Sequence, residues 1–271
     1  MTKNFLINGS SEKGLNPFDR GLSYGDGIFR TFLVKNGCPL LWTHHFSKLC
    51  HDLEIIDIPL IKENLLLRDV SLLFPSKGTF VGKLIITRGI SERGYSYPKN
   101  IKPNRILLKS KYSKIPKKLY ETGVTLEVCN TRVSNDHDIN GIKHLSRVDN
   151  VKAKLELSLS SFDGIMLDQD GFINECIRSS IFFRYGDTLI TSNHLSGGVY
   201  GVTKLIVVSK ASELGLRIKY SNLPLSKLKK ADEIVITNSL FGALQVIKIN
   251  DISYKVCDLS KKINYLFNEE N

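Results

Sequence analysis

Asn140-Gly-Ile-Lys-His-Leu145 sets one lysine, Lys143, among apolar residues just past a turn signal. An ammonium held partly out of water gives up its proton more readily, and the neutral amine can attack a carbonyl. The fragment therefore points to an imine-forming lysine, although the same residues also suit a half-exposed surface segment. Four other groupings have chemical potential. In Tyr24-Gly-Asp-Gly-Ile-Phe-Arg-Thr31, closely spaced glycines let the backbone turn tightly before a strand, as a plain hairpin would too. Gly171-Phe-Ile-Asn-Glu-Cys176 places Glu175 after an Asp-Gly turn in apolar company. A carboxylate there needs a cationic or hydrogen-bonding partner, either a protonated ring nitrogen or an ordinary ion pair. Ser196-Gly-Gly-Val-Tyr-Gly-Val-Thr203 leads into a helix, so its amides face outward as an anion cradle. It lacks both the Gly-Lys-Ser/Thr ending of a P-loop and the Gly-x-Gly-x-x-Gly of dinucleotide folds. Thr237-Asn-Ser239, at a strand end, offers further groups to such an anion.

An aldehyde for the lysine, a ring nitrogen for the glutamate and a phosphate for the glycine loop describe one ligand, pyridoxal 5′-phosphate. The elements that must position these groups alternate between strand-like and amphipathic segments, which predicts a mixed α/β (α+β) protein. Strands are expected at 5–8, 28–35, 83–87, 105–111, 124–129, 164–168, 180–184, 232–237 and 244–249. Helices are expected at 42–57, 61–74, about 145–160, and 203–214 with Gly215 as cap. On the first helix Trp42, Phe46, Leu49, Leu53 and Ile56 form the buried stripe, with Lys48 off it. Ser113-Lys-Ile-Pro-Lys-Lys118, polar and broken by Pro116, reads as a linker. It separates an N-terminal domain (1–112) from a C-terminal domain (119–271) that carries Lys143.

The bulk numbers narrow the class. With 42% hydrophobic and 24% charged residues, the 271-residue chain reads as an ordinary globular protein with a sizeable core. No run approaches membrane-spanning length, and the apolar stretch before Asn8-Gly9 is too short for a signal-peptide core, so a cytoplasmic protein is expected. Five scattered cysteines without a Cys-x-x-Cys pair argue against a disulfide framework or a zinc site. A net charge of +11 invites a nucleic-acid reading, but no recognition motif or interleaved aromatics accompany it. The same field suits an enzyme that binds anions.

In the order and spacing of Phe5-Leu-Ile-Asn-Gly9, Gly25-Asp-Gly27, Arg93-Gly-Tyr-Ser96, Gly141-Ile-Lys-His-Leu-Ser-Arg147 and Ala231-Asp-Glu-Ile-Val235, the chain resembles the fold type IV pyridoxal-phosphate enzymes over nearly its whole length. That group includes the D-amino-acid and branched-chain aminotransferases, and Gly-Ile-Lys-His-Leu looks most like its 4-amino-4-deoxychorismate lyases. The resemblance implies the two-domain, D-amino-acid aminotransferase-like architecture and a homodimer. It makes Lys143 the Schiff-base lysine and Glu175 the partner of the pyridine nitrogen. Val202, Thr203, Asn238 and Ser239 become phosphate contacts. Lys48 stands where the group generally has a phosphate-binding arginine, keeping the charge without the fork geometry. Arg30 stands where aminotransferases commonly have glutamate, Arg178 where a small residue is usual, and Ser180 where asparagine is frequent.

The activity implied is cleavage of 4-amino-4-deoxychorismate to 4-aminobenzoate and pyruvate, a step toward folate. A dicarboxylate substrate calls for cations, and Arg105 with Tyr95, then Arg30 and Arg178, are the expected contacts. Two alternatives stand beside this reading. One is a fold type IV aminotransferase for D-amino or branched-chain amino acids; the other is a non-catalytic basic binding protein.

Overall fold

Alternate residues of Gly27–Lys35 (β2) face a core: Ile28, Arg30, Phe32 and Val34 are buried, the period of a strand covered on one face. The computed structural model describes residues 4–135, 138–193 and 195–270. Phe5–Ile7 (β1), Cys38–Pro39 (β3), Thr79–Thr87 (β4) and Asn104–Lys111 (β5) join β2 in an antiparallel sheet of order β1-β5-β4-β2-β3. Helices Arg20–Tyr24 (α1), Trp42–Ile55 (α2) and Glu63–Leu73 (α3) complete this first unit. α2 packs on β2, and α3 on β1 and β5.

The buried face of α2 differs from the expected stripe. It consists of His45, Lys48, Leu49, Asp52 and Leu53, so Lys48 lies on the buried face rather than off it. The reason is across the interface, where β2 presents the guanidinium of Arg30 among its apolar neighbours and the helix answers with polar side chains. Trp42 and Phe46 stack on each other with ring centroids 6.1 Å apart, half-buried.

His45 sits on that face 3% exposed, near the Phe32 ring, and neither ring nitrogen has a hydrogen-bond partner among the described residues. Burial first, then the charges of Arg30 and His44, push its pKa down to about 3 from 6.5. Below about pH 6.5 the unfolded chain takes up a proton that the native protein refuses, so stability falls as the pH drops toward 3. A His45→Phe variant is expected to lose less melting temperature than the wild type between about pH 6.5 and pH 4. Equal losses in the two proteins would rule out His45 as a source of acid sensitivity.

The second unit comprises residues 114–142 and 147 onward. Its strands are Val124–Val128 (β6), Asp163–Leu167 (β7), Phe172–Cys176 (β8), Ser180–Tyr185 (β9), Thr188–Thr191 (β10), Arg217–Tyr220 (β11), Leu223–Pro224 (β12), Glu233–Asn238 (β13), Gly242–Ile249 (β14) and Ile252–Ser253 (β15). They form a mixed sheet of order β11-β10-β9-β13-β14-β6-β7-β8-β12, with β15 beside β14. Lys117–Thr122 (α4), Val148–Glu156 (α5), Val202–Ser209 (α6) and Leu259–Glu269 (α7) are its helices. α6 and α7 pack on β13, and α7 also covers β14. Buried Leu126, Ile165, Phe183, Ile234, Ile236, Leu244 and Val246 make up the middle of its core.

The mixed α/β class agrees with the sequence reading, and several local features depart from it. The expected helix 203–214 is α6 followed by a separate 3₁₀ turn, Ala211–Leu214, closed by Gly215 at φ 70°. Helix α7 was not anticipated, although Leu259, Ile263, Leu266 and Phe267 recur at helical spacing and are buried. Lys143–Ser146 belong to the first unit, not to the C-terminal domain in which the sequence reading put the lysine. β3 pairs with β2 only at Val34 and Lys35, which leaves the start of that edge open. Residues 143–145 take it: Phe29 N–H donates to the Lys143 carbonyl at 2.9 Å and Leu145 N–H to that of Gly27 at 3.0 Å. A Cβ on Gly27 would lie 2.4 Å from the Ile86 carbonyl oxygen, and one on Gly25, at φ +69°, 2.6 Å from Ser146 Oγ. The Gly-Asp-Gly motif is therefore the seat of this segment. The units part after Ser113, and the expected linker 113–118 already contains the start of α4.

Candidate active site

Lys143 is fixed by its main chain from two directions. Its carbonyl is bonded to β2, and its N–H donates to Asp52 Oδ2 on α2 at 3.2 Å. Asp52 is fully buried and bonded to two cations: Arg30 through Oδ2 and Lys48, one helical turn earlier, through Oδ1. Arg30 also donates to the Lys48 carbonyl at 3.2 Å. Burial pulls the Lys48 pKa down, and attraction and hydrogen bonding to Asp52 oppose this. The Lys143 ammonium lies 4.8 Å from the centroid of the Phe29 ring, and the side chain is half-buried. Its apolar setting is thus partly an aromatic face, which attracts a cation.

Arg30, expected to meet the substrate, is turned inward instead. It lies on the covered face of β2, is 3% exposed, and is engaged with Asp52 and the Lys48 carbonyl. That arrangement makes it a support for Asp52.

In the second unit, Glu175 is 5% exposed on β8 and accepts from the Val199 N–H at 2.8 Å. Neighbouring Asn174 donates to the carbonyls of Ser196 and Gly197, both at 3.3 Å. Gly197 and Gly198 take φ of +98° and +86°, conformations that a side chain would resist, and a Cβ on Gly197 would meet the Ser134 carbonyl oxygen at 2.3 Å. The loop ends at Gly201, the N-cap of α6. Having no side chain, Gly201 offers no cap to the first amides of the helix, at Val202 and Thr203. Thr203 Oγ1 is 3.2 Å from Thr237 Oγ1. Asn238 spends its side chain on the local turn, accepting from the N–H groups of Leu240 and Phe241 and donating to the Arg178 carbonyl, with Ser239 half-buried beside it. The first unit thus carries an amine on a fixed backbone, whose chemistry suits an aldehyde, and the second a buried carboxylate and an uncapped helix start, whose chemistry suits a ring nitrogen and a phosphate.

Arg105 Nε pairs with Asp69 Oδ2 at 2.6 Å. Tyr95 is 86% exposed on a loop tied down by Arg20, which donates to the carbonyls of Gly94 and Tyr95. Arg178 donates to the Phe162 carbonyl at 2.7 Å and lies 4.6 Å from that ring's centroid. Ser180 is buried, its Oγ 3.1 Å from where a Cβ on Gly201 would sit.

Asp52 and Lys204 were not singled out from the sequence. The signal for Asp52 was its i,i+4 spacing from Lys48. Lys204 carries no such mark, since a lysine in the first turns of a helix ordinarily faces solvent. Here it is 0% exposed. Among the described residues no three His, Cys, Asp or Glu side chains are grouped as a metal site requires, and no helix is long and apolar enough to cross a membrane.

The pattern that defines the class IV amino-transferases matches residues 27–249, from the start of β2 to the end of β14. The structure is similar to that of 4-amino-4-deoxychorismate lyase from Pseudomonas aeruginosa, with a TM-score of 0.91, 31% identity and 98% of each chain covered. Aminodeoxychorismate lyase from Bacillus subtilis is 28% identical over 89% of this chain and 83% of its own length. A putative branched-chain-amino-acid aminotransferase from Methanocaldococcus jannaschii is also 28% identical, over 93% and 89% of the two chains. The chain belongs to the amino-transferase class IV family.

Proposed function

We propose that this chain is a pyridoxal-phosphate-dependent lyase that cleaves 4-amino-4-deoxychorismate to 4-aminobenzoate and pyruvate. The observation that carries the reading is the likeness to the Pseudomonas aeruginosa lyase over 98% of both chains. The fit of the residues to the cofactor supports it. Lys143 binds the aldehyde, Glu175 holds the ring nitrogen, and Val202 and Thr203 with Asn238 and Ser239 take the phosphate, to which Lys48 adds positive charge. When bound, the cofactor withdraws electrons from the amine-bearing carbon of the substrate.

The rest falls to the chain's own groups. Lys143 Nζ takes the proton from the amine-bearing carbon and, as an ammonium, protonates the departing enolpyruvyl group. Asp52 keeps the Lys143 main chain in place during this transfer, so the amine swings from a fixed root. Arg105 and Arg178, with Tyr95, receive the two carboxylates. Loss of pyruvate leaves an aromatic ring, which drives the reaction forward. The protein acts as a homodimer in the cytoplasm.

Substrate and products have the same sum of atoms and the same oxidation level, so turnover needs no second substrate. An aminotransferase, by contrast, stops after one half-reaction without a 2-oxo acid. Repeated turnover of 4-amino-4-deoxychorismate with no 2-oxo acid present is therefore expected. A reaction that halts at one equivalent per site and resumes when a 2-oxo acid is added would favour the aminotransferase.

A further inference from the structure

Lys204 is fully buried on the first turn of α6, and no step proposed above uses it. Its ammonium donates to the Ser192 carbonyl at 2.6 Å, lies 3.4 Å from Ser192 Oγ, and sits 5.1 Å from the centroid of the Tyr200 ring. Ser192 Oγ in turn donates to the Asn174 carbonyl at 2.6 Å. Asn174 holds the carbonyls of Ser196 and Gly197, and the adjacent Glu175 holds the Val199 N–H. One buried cation thus reaches the root of the glycine loop through Ser192, its far end through Tyr200, and the strand that carries Glu175 through Asn174.

Burying an ammonium is costly, and an apolar side chain of the same length would avoid that cost. Desolvation brings the Lys204 pKa down to about 7, and the charge of Glu175 opposes this. Among the described residues, titratable groups from several elements face this pair. Glu175 comes from β8, the Tyr200 phenol is paired with Tyr220 of β11, and Arg147, before α5, is also attracted by Glu175.

We propose that Lys204 is a positioning residue for Glu175: its charge balances the buried carboxylate, and its hydrogen bonds to Ser192 hold that residue against the strand of Glu175 and the glycine loop 195–200 in the shape that presents Glu175 to the cofactor ring. The inference rests on the reading of Glu175 as the partner of the pyridine nitrogen. It makes Lys204, one residue past the phosphate contact Thr203, part of the same device.

The test compares Lys204→Met and Lys204→Arg with the wild type, first without added cofactor. The protonation midpoint of the Glu175 carboxyl, followed by carbon-13 NMR, is expected to rise by about one pH unit in Lys204→Met and by clearly less in Lys204→Arg. Coupling between two sites is reciprocal, so Glu175→Gln is expected to lower the Lys204 midpoint by a similar amount. That second variant keeps the question answerable if Lys204→Met does not fold. Pyridoxal phosphate should bind about tenfold more weakly to Lys204→Met, matching one pH unit of lost charge balance. Midpoints that do not move in the variants, while the wild type binds the cofactor, would overturn the role of Lys204 alone. Failure of the wild type to bind pyridoxal phosphate, with the midpoints still coupled, would overturn the reading of Glu175 and with it the purpose assigned to Lys204.

Discussion

Lys143→Ala protein is expected to lose the absorbance of bound pyridoxal phosphate and to form 4-aminobenzoate at least about a thousandfold more slowly than the wild type. Both effects follow from one amine that anchors the cofactor and then moves the proton. The fold should tolerate the change. The bonds that place residue 143 come from its main chain, the carbonyl to Phe29 and the N–H to Asp52, and alanine keeps both. Lys143→Arg should be nearly as inactive, because a guanidinium does not give up its proton in this pH range. Circular dichroism and melting temperature would show that the loss is chemical. Turnover within about tenfold of wild type in Lys143→Ala would mean that proton transfer runs through another group.

The second large effect is on stability. Removing Asp52 leaves Arg30 and Lys48 as two like charges with their shared counter-ion gone, both nearly out of water. Breaking a buried ion pair from one side typically costs about 3–5 kcal/mol, and Asp52→Ala is expected to fall in that range by urea denaturation. The same substitution removes the acceptor for the Lys143 N–H, so kcat should fall along with stability. A further variant separates the two consequences. With Arg30→Met and Lys48→Met added to Asp52→Leu, no uncompensated charge remains, and much of the stability is expected to return. The rate is not, because the anchor of Lys143 and the charge that Lys48 offers the phosphate are both absent. A stability loss under about 1 kcal/mol in Asp52→Ala would show that the cluster is solvated and weak.

The sequence made local chemistry more legible than placement. Period-two alternation located β2, and the helical spacing located α2, because both reflect a single covered face. The pattern could not say which side of α2 is covered, since that depends on Arg30 opposite. A lysine and an aspartate on a helix read as surface charge until a buried arginine is known to face them. Lys143 stood out through its turn and apolar neighbours, but its allegiance to the first unit rests on an open strand edge more than a hundred residues away in the chain. Such main-chain pairing leaves no trace in side-chain pattern. The glycines of Gly25-Asp-Gly27 did mark the spot, because a Cβ at either would strike its neighbours. Glu175 and the loop before α6 were singled out by the Asp-Gly turn, by the glycine run that leads into a helix and by the family resemblance. Lys204 was missed for a physical reason: burial of a lysine is paid for by tertiary partners, here Ser192 and Tyr200, that lie in other elements.

The measurement that bears most directly on the central claim is the stoichiometry of products. Purified protein loaded with pyridoxal phosphate is given 4-amino-4-deoxychorismate, and 4-aminobenzoate and pyruvate are followed together with Lys143→Ala alongside. The lyase reading predicts equal amounts of both products from the wild type and neither from the variant. Protein that holds the cofactor yet forms no 4-aminobenzoate, while exchanging amino groups between an amino acid and a 2-oxo acid, would contradict it.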